Sequence, residues 1–190
     1  MGVAGERPEA ERLLRDAGAL LDGHFQLTSG KHSPVYAEKF RLLEQPSQTE
    51  ALSRMIAEWA KPLGPQVVAG PTTGGIIISY EVARLLGVRG IFAEEDNGGG
   101  RAFRRGFIVS PGERTLVVDD VLTTGGSVRE VLNAVRALGG EVCGVAVLID
   151  RTGGKAHFDA PFFACLTLDL DTYEPLACPL CASNVPLQIT

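Results

Sequence analysis

Residues 115–127 read Thr115-Leu116-Val117-Val118-Asp119-Asp120-Val121-Leu122-Thr123-Thr124-Gly125-Gly126-Ser127. An apolar run of strand length delivers two adjacent carboxylates, and small polar residues then open a helix. Val128, Val131, Leu132, Val135 and Leu138 give that helix one apolar face, predicting it over 127–138. The same strand-then-helix grammar runs outward in both directions. Strands are predicted at 67–70, 89–94, 107–109, 115–120, 141–150 and 161–170, with a helix from about 75 to 86 after the first. Alternation of this kind predicts an α/β fold, a mostly parallel twisted sheet flanked by helices on both faces.

In an open parallel sheet, ligands bind beyond the carboxyl ends of the strands. Pro71-Thr72-Thr73-Gly74-Gly75, the Gly-rich 95–101, Asp119–Ser127 and Asp150-Arg151-Thr152-Gly153-Gly154-Lys155 all fall at such ends. None of these stretches builds a core, so together they predict a polar ligand across the top of the sheet. A helix start offers free N–H groups and a positive dipole end to an anion. Gly125 and Gly126 allow close backbone approach, and the hydroxyls of Thr123, Thr124 and Ser127 add donors. Two adjacent acids repel a phosphate but suit sugar hydroxyls, a proton or a hydrated cation. Anion cradle plus diacid predicts a sugar phosphate. A helix cap after a buried strand explains one Ser or Thr, not this whole run. The loop is no Walker A sequence, because no Lys follows its glycines, and no G-x-G-x-x-G follows a strand.

Ahead of the sheet lies an N-terminal segment. Residues 9–22 are predicted as an amphipathic helix stopped by Gly23, residues 24–40 as two strands around a Ser-Gly-Lys turn, and 47–60 as a helix with a Ser47/Glu50 capping box. The chain divides on this reading into an N-terminal cap or hood (1–62), an α/β core (63–172) and a tail (173–190).

The 190 residues suit one domain, and 23 acids against 18 lysines and arginines give a net charge of −5. A mildly acidic chain is a poor nucleic-acid or anionic-membrane binder, and no apolar run is long enough to span a bilayer. Residues 1–12 carry several charges and no apolar core, which argues against a secretory leader. Four cysteines make no disulfide framework, so the expected compartment is the reducing cytoplasm. Cys178-x-x-Cys181 is two ligands short of a tetrahedral site, and His24, His32 and His157 show no metal spacing. No protein-held metal is expected on this reading.

The stretch 117–127 resembles the phosphoribosyl-diphosphate motif of type I phosphoribosyltransferases. Phe25-Gln26-Leu27-Thr28-Ser29-Gly30-Lys31-His32-Ser33-Pro34, the loop 70–75 and Asp150-Arg151 narrow the resemblance to the orotate phosphoribosyltransferases, over nearly the whole chain. The tail Cys178-Pro179-Leu180-Cys181 is similar to that of one bacterial branch. The resemblance implies transfer of ribose 5-phosphate from phosphoribosyl diphosphate to orotate, giving orotidine 5′-monophosphate and diphosphate in pyrimidine biosynthesis. It implies Mg²⁺ carried mainly by the substrate diphosphate, and a homodimer with shared active sites. Asp119 and Asp120 would hold the ribose hydroxyls. The run Val121, Leu122, Thr123, Thr124, Gly125, Gly126 and Ser127 would bind the 5-phosphate. Thr123 and Arg151 would bind orotate, Thr72, Thr73 and Gly74 would meet the diphosphate, and Lys31 and Tyr36 would cover the base.

The sequence departs from the family at 94–105. A mobile loop is expected there, carrying Lys and His onto the diphosphate of the neighbouring subunit. Here Glu94, Glu95 and Asp96 open the loop, and Arg101, Arg104 and Arg105 are its cations. Arg101 is expected to take the catalytic role across the dimer interface. Many relatives also place Lys where this chain has Gly74. Two other functions fit the motif: a purine-type phosphoribosyltransferase, and a non-catalytic regulator that binds the sugar diphosphate.

Overall fold

A computed structural model describes residues 7–27, 29–169 and 171–189. Residues 1–6, Thr28 just before the predicted Ser-Gly-Lys turn, Leu170 at the end of the last predicted strand and Thr190 lie outside it. The core is a six-stranded sheet. Its strands are β3 (Val67–Pro71), β4 (Arg89–Glu95), β5 (Arg101–Phe103), β6 (Arg114–Leu122), β7 (Glu141–Asp150) and β8 (Phe162–Thr167). Their spatial order is β5-β4-β3-β6-β7-β8, and every neighbouring pair is parallel except β4/β5. The order runs down from β5 to β3 and then up from β6 to β8. The reversal lies between β3 and β6, the place where an α/β sheet opens a crevice at its carboxyl edge.

Both faces of the sheet are apolar, as strands covered on both sides must be. On one face Val68, Leu116, Val118, Ala146 and Leu148 pack with α3 (Pro46–Ala60) and α4 (Gly74–Leu86), and with Ala10 and Leu14 of α1 (Arg7–Asp16). On the other, Val67, Ala69, Val117, Val145 and Val147 pack with Val128, Val131, Leu132 and Val135 of α5 (Gly126–Ala137). Alternate residues along each strand serve opposite faces, the period-2 rule at work.

The hood departs from the sequence reading in its boundaries. α1 ends at Asp16, because Gly18 turns the chain at φ 67°. Leu20 and Leu21, whose spacing fits a helix, instead enter β1 (Leu20–Gln26), paired antiparallel with β2 (His32–Ala37). Gly23 sits in β1 where the register slips between Asp22 and Phe25, the usual meaning of glycine inside a strand. A short helix, α2 (Lys39–Leu43), precedes α3. α3 has no Ser47 capping box. Pro46 occupies the first turn with Gln45 as its cap residue, and Ser47 Oγ donates to Gln48. β1 also pairs with β9 (Gln188–Ile189), so the tail completes a second, three-stranded sheet, β2-β1-β9.

Residues 107–109 are not a strand. Arg105 and Gly106 both take positive φ, 56° and 75°, and turn the chain off the sheet first. The edge partner of β4 is β5, so the Gly-rich 95–101 is the tip of a β-hairpin. Two backbone bonds close that tip, Asp96 N to Gly100 O at 3.0 Å and Gly99 N to Asp96 O at 2.9 Å.

Candidate active site

The crevice between β3 and β6 holds a cavity of about 680 Å³. Asp119, Asp120, Val121, Thr123, Thr124 and Ser127 line it from the β6 side, Thr72, Thr73 and Gly74 from β3, Arg151 from β7 and Tyr36 from the hood. Segments far apart in the chain thus converge where the strand order reverses.

The β3 end is packed tightly. The Thr72–Thr73 peptide bond is cis, and Thr72 N donates to Ala93 O at 3.1 Å. A Cβ on Gly74 would collide with the Asp120 carboxylate. This position therefore has no room for the Lys that the resemblance leads one to expect, and the backbone itself faces the cavity.

At the β6 end both carboxylates are almost fully buried. Asp120 N donates to Asp119 Oδ1 at 2.8 Å, and Val121 N donates to Asp120 Oδ1 at 2.6 Å. Burial first, and the adjacent Asp120 second, push the Asp119 carboxyl up to about 7. Lys39 Nζ lies 2.9 Å from Asp120 Oδ2 and supplies the compensating charge a buried carboxylate needs. The turn after β6 brings the chain through Gly125, at φ 79°, into α5. Glycine as the cap residue makes no side-chain cap; Gly126 N donates to Thr124 Oγ1 over a long 3.4 Å, and the N–H groups of a helix start are a natural anion site.

Arg151 N donates to Leu122 O at 2.8 Å, tying the end of β7 to that of β6. Its guanidinium is held somewhat below its ordinary pKa by burial, and remains a cation with five donors. Asp150, fully buried, shapes the following turn by accepting from Thr152 N at 2.8 Å and Gly154 N at 3.2 Å.

Five of the expected residues do not line the cavity. The Leu122 side chain is buried among Val128 and its neighbours beneath the sheet, so it does not line the cavity. Gly125 and Gly126 shape the helix start without lining the cavity. Lys31 pairs with Glu174 at 3.0 Å on the surface. Arg101 stands behind the β3 turn. Its Nη1 donates to Thr72 Oγ1 at 2.8 Å, and its side chain, 6% exposed, also faces Glu130 at 3.3 Å. The sequence reading sends Arg101 across an interface; within its own chain it braces the Thr72 loop. The three acids of the hairpin are matched. Arg105 binds Glu94 at 2.7 Å, Arg104 binds Asp96 at 2.6 Å, and Arg101 lies 3.7 Å from Glu95.

The phosphoribosyl transferase domain model matches residues 42–178. An orotate phosphoribosyltransferase of Desulforamulus reducens is 49% identical over 180 residues, 95% of this chain and 94% of the relative. One of Caldanaerobacter subterraneus subsp. tengcongensis is 50% identical over 183 residues, 96% and 95% of the two chains. The chain belongs to the orotate phosphoribosyltransferase family. It is accordingly an enzyme of the pentosyltransferase class. The crystal structure of the Mycobacterium tuberculosis orotate phosphoribosyltransferase superposes with a TM-score of 0.71 at 26% identity, covering 86% of this chain and 97% of that one.

Within this orotate phosphoribosyltransferase fold, the residue that sequence reasoning missed is Lys39. No motif marks it. It sits at the start of α2, an element too short to show a hydrophobic period, and only the hood's placement over β6 brings it to Asp120.

Proposed function

We propose that this chain transfers the ribose 5-phosphate of phosphoribosyl diphosphate to orotate, with the roles divided around the crevice. The observation that carries this reading is the meeting of a glycine-capped helix start, a buried diacid and a half-buried arginine in one cavity. The 5-phosphate sits on the N–H groups and hydroxyls of Thr123–Ser127. Asp119 and Asp120 accept from the ribose hydroxyls. The Thr72–Gly74 backbone, braced by Arg101, faces the diphosphate. Arg151 forks onto the orotate carboxylate, with Tyr36 over the base.

In the reaction an orotate ring nitrogen gives up its proton, to the departing diphosphate or to water, and forms the new bond to ribose C1. The C1–oxygen bond breaks, and its electron pair leaves with diphosphate. The sugar passes through a positively charged, oxocarbenium-like state. The buried carboxylates face that side and the helix start holds the phosphate, so fixed charges are in place before charge develops. Covering the crevice with the hood excludes water, which would otherwise compete for C1.

The donor set fits Mg²⁺ held through substrate. Two carboxylates alone make no octahedral cage, and one or two carboxylates with substrate phosphates is the usual Mg²⁺ arrangement. When bound there, Mg²⁺ supplies neutralisation of the departing diphosphate. A homodimer is part of the proposal. Ile77 and Tyr80 on the outer face of α4, with Phe40 of α2, leave large apolar side chains exposed in support of it. So is a cytoplasmic location, consistent with four cysteines in thiol form.

The test is to mix protein, Mg²⁺, phosphoribosyl diphosphate and orotate and follow loss of orotate absorbance. Turnover is expected. Turnover of a purine base with none of orotate would overturn the assignment.

A further inference from the structure

The tail and the hood share a cluster that the transferase chemistry does not use. His24 of β1, His32 at the start of β2, Cys178, and Cys181 of the short helix α6 (Pro179–Ala182) bring their ligand atoms within 4.8 Å of one another. His24 Nε2 lies 2.9 Å from His32 Nδ1 and 3.5 Å from Cys178 Sγ. Cys181 Sγ lies 3.3 Å from His32 Nδ1 and 3.7 Å from His24 Nε2. Three of the residues are buried: His24, His32 and Cys178 are 1%, 4% and 4% exposed. We propose that His24, His32, Cys178 and Cys181 bind one zinc ion, as a structural site separate from the crevice.

Geometry supports this in detail. Around a zinc with bonds of about 2.05 Å to nitrogen and about 2.3 Å to sulfur, a tetrahedron puts the nitrogens about 3.3 Å apart and each nitrogen about 3.6 Å from each sulfur. The three nitrogen–sulfur separations, 3.3, 3.5 and 3.7 Å, bracket their edge, and the nitrogen pair at 2.9 Å would open by about 0.4 Å to take the ion. His24 Nδ1 lies 2.8 Å from Val185 O, where an N–H donates to the carbonyl. That bond leaves the Nε2 lone pair aimed at the cluster, the second-shell arrangement that orients a metal-bound histidine. His32 is fixed from the backbone side: its N donates to Tyr173 O and its O accepts from Tyr173 N, both at 2.8 Å. Two thiolates and two imidazoles are a soft, tetrahedral set, which selects zinc over Mg²⁺. Binding releases the two thiol protons, and no redox partner is needed.

The tail gives the site a purpose. Leu176, Val185, Leu187 and Ile189 are all exposed, so apolar burial does little to hold residues 171–189. α6 has four residues and β9 two. The Lys31–Glu174 pair is a surface ion pair, worth little alone. A segment with so small a core is the kind a metal staples. The staple would join the tail to the hairpin that carries Tyr36 and Ser29 to the crevice.

The experiment is elemental analysis of the full chain, purified without chelators or metal-affinity resin, together with thiol titration. The expected result is about one zinc per chain, with two thiols becoming reactive when a chelator removes it. Cys178→Ser with Cys181→Ser is expected to lose the zinc. In that variant the tail should be clipped by protease while the core stays intact, with Tm lowered by more than about 5 °C. Should that variant fail to fold, cobalt substitution of the intact chain decides. Tetrahedral cobalt bands with thiolate charge transfer support the site. Under about a tenth of a zinc per chain, with no uptake of zinc or cobalt, overturns it. A Cys178–Cys181 disulfide in anaerobically purified protein also overturns it.

Discussion

The crevice and the hood–tail cluster are built in opposite ways. In the crevice, the lining residues on the β6 side lie within nine consecutive residues, 119–127, because one strand end and one helix start deliver them together. In the hood–tail cluster, two histidines eight residues apart meet a Cys pair about 150 residues away. A contiguous site is written in local sequence. An assembled one exists only after β1, β2 and β9 pair. The two should also fail differently: damage to the crevice costs chemistry, whereas damage to the cluster costs stability.

The largest effect that would break this contrast is expected at Asp119. Asp119→Asn keeps the shape but removes a carboxylate facing the reacting sugar, and kcat/KM for orotate should fall about 100-fold or more. Stability should move the other way. With Asp119 pushed up to about 7, the native state binds more protons than the unfolded chain between about pH 4 and about pH 7. This group's contribution is therefore fully present below about pH 4 and lost as pH rises through about 7. Melting curves should show the Asn variant several degrees above the parent at pH 8, with the two converging near pH 4. An Asn variant that loses both activity and Tm at pH 8 would show the diacid to be structural, and the contrast would collapse.

Next in size is Arg101. It touches the Thr72 loop from behind, and its buried side chain pairs with the partly exposed Glu130. Arg101→Ala should lower kcat/KM about 10- to 100-fold, and Arg101→Lys should recover little, because a point charge does not replace the planar fork. The loss should appear equally in mixtures with an inactive partner chain, since the arginine serves its own subunit. Complementation by mixing would return Arg101 to the interface.

The sheet was legible because strand and helix periods differ and each strand end carried punctuation. β3, β4, β6, β7 and the helices α4 and α5 follow that pattern closely. The hood was less so. Leu20 and Leu21 satisfy a helical spacing, and only the positive φ of Gly18 and pairing with β2 make them strand. The cradle and Arg151 could be read because topology places strand ends together. Lys39, the inward turn of Arg101 and the His24–His32–Cys178–Cys181 cluster could not. Each depends on tertiary placement between segments with no shared period or spacing.

Lys39 sharpens the contrast from the hood side, as the one hood cation joined to the crevice acids among the described residues. Lys39→Met leaves Asp120 buried beside Asp119 without its compensating charge, a costly arrangement. Because Lys39 is partly exposed, solvent and substrate-borne Mg²⁺ offset part of that cost. A rise of about 3- to 10-fold in KM for phosphoribosyl diphosphate is expected, relieved by raising Mg²⁺. No dependence on Mg²⁺ would make Lys39 a packing residue.

The smallest effect is expected at Arg104 and Arg105, on the same hairpin as Arg101. Their partners, Asp96 and Glu94, are the acids that conflict with an anionic ligand in the sequence. Each pair is close, yet both arginines are about half exposed or more, and exposed pairs are screened and entropically costly. The arginines serve mainly to cancel the charge of the hairpin acids. Arg104→Ala and Arg105→Ala should each change kcat/KM less than about twofold at physiological salt, with a larger effect at low salt, where the uncovered acid repels diphosphate over a longer range. Steady-state kinetics at two ionic strengths separates the outcomes. A loss as large as that of Arg101→Ala, independent of salt, would mean that the hairpin tip itself reaches the diphosphate, and Arg101 would no longer be the sole arginine there with a direct hold on the site.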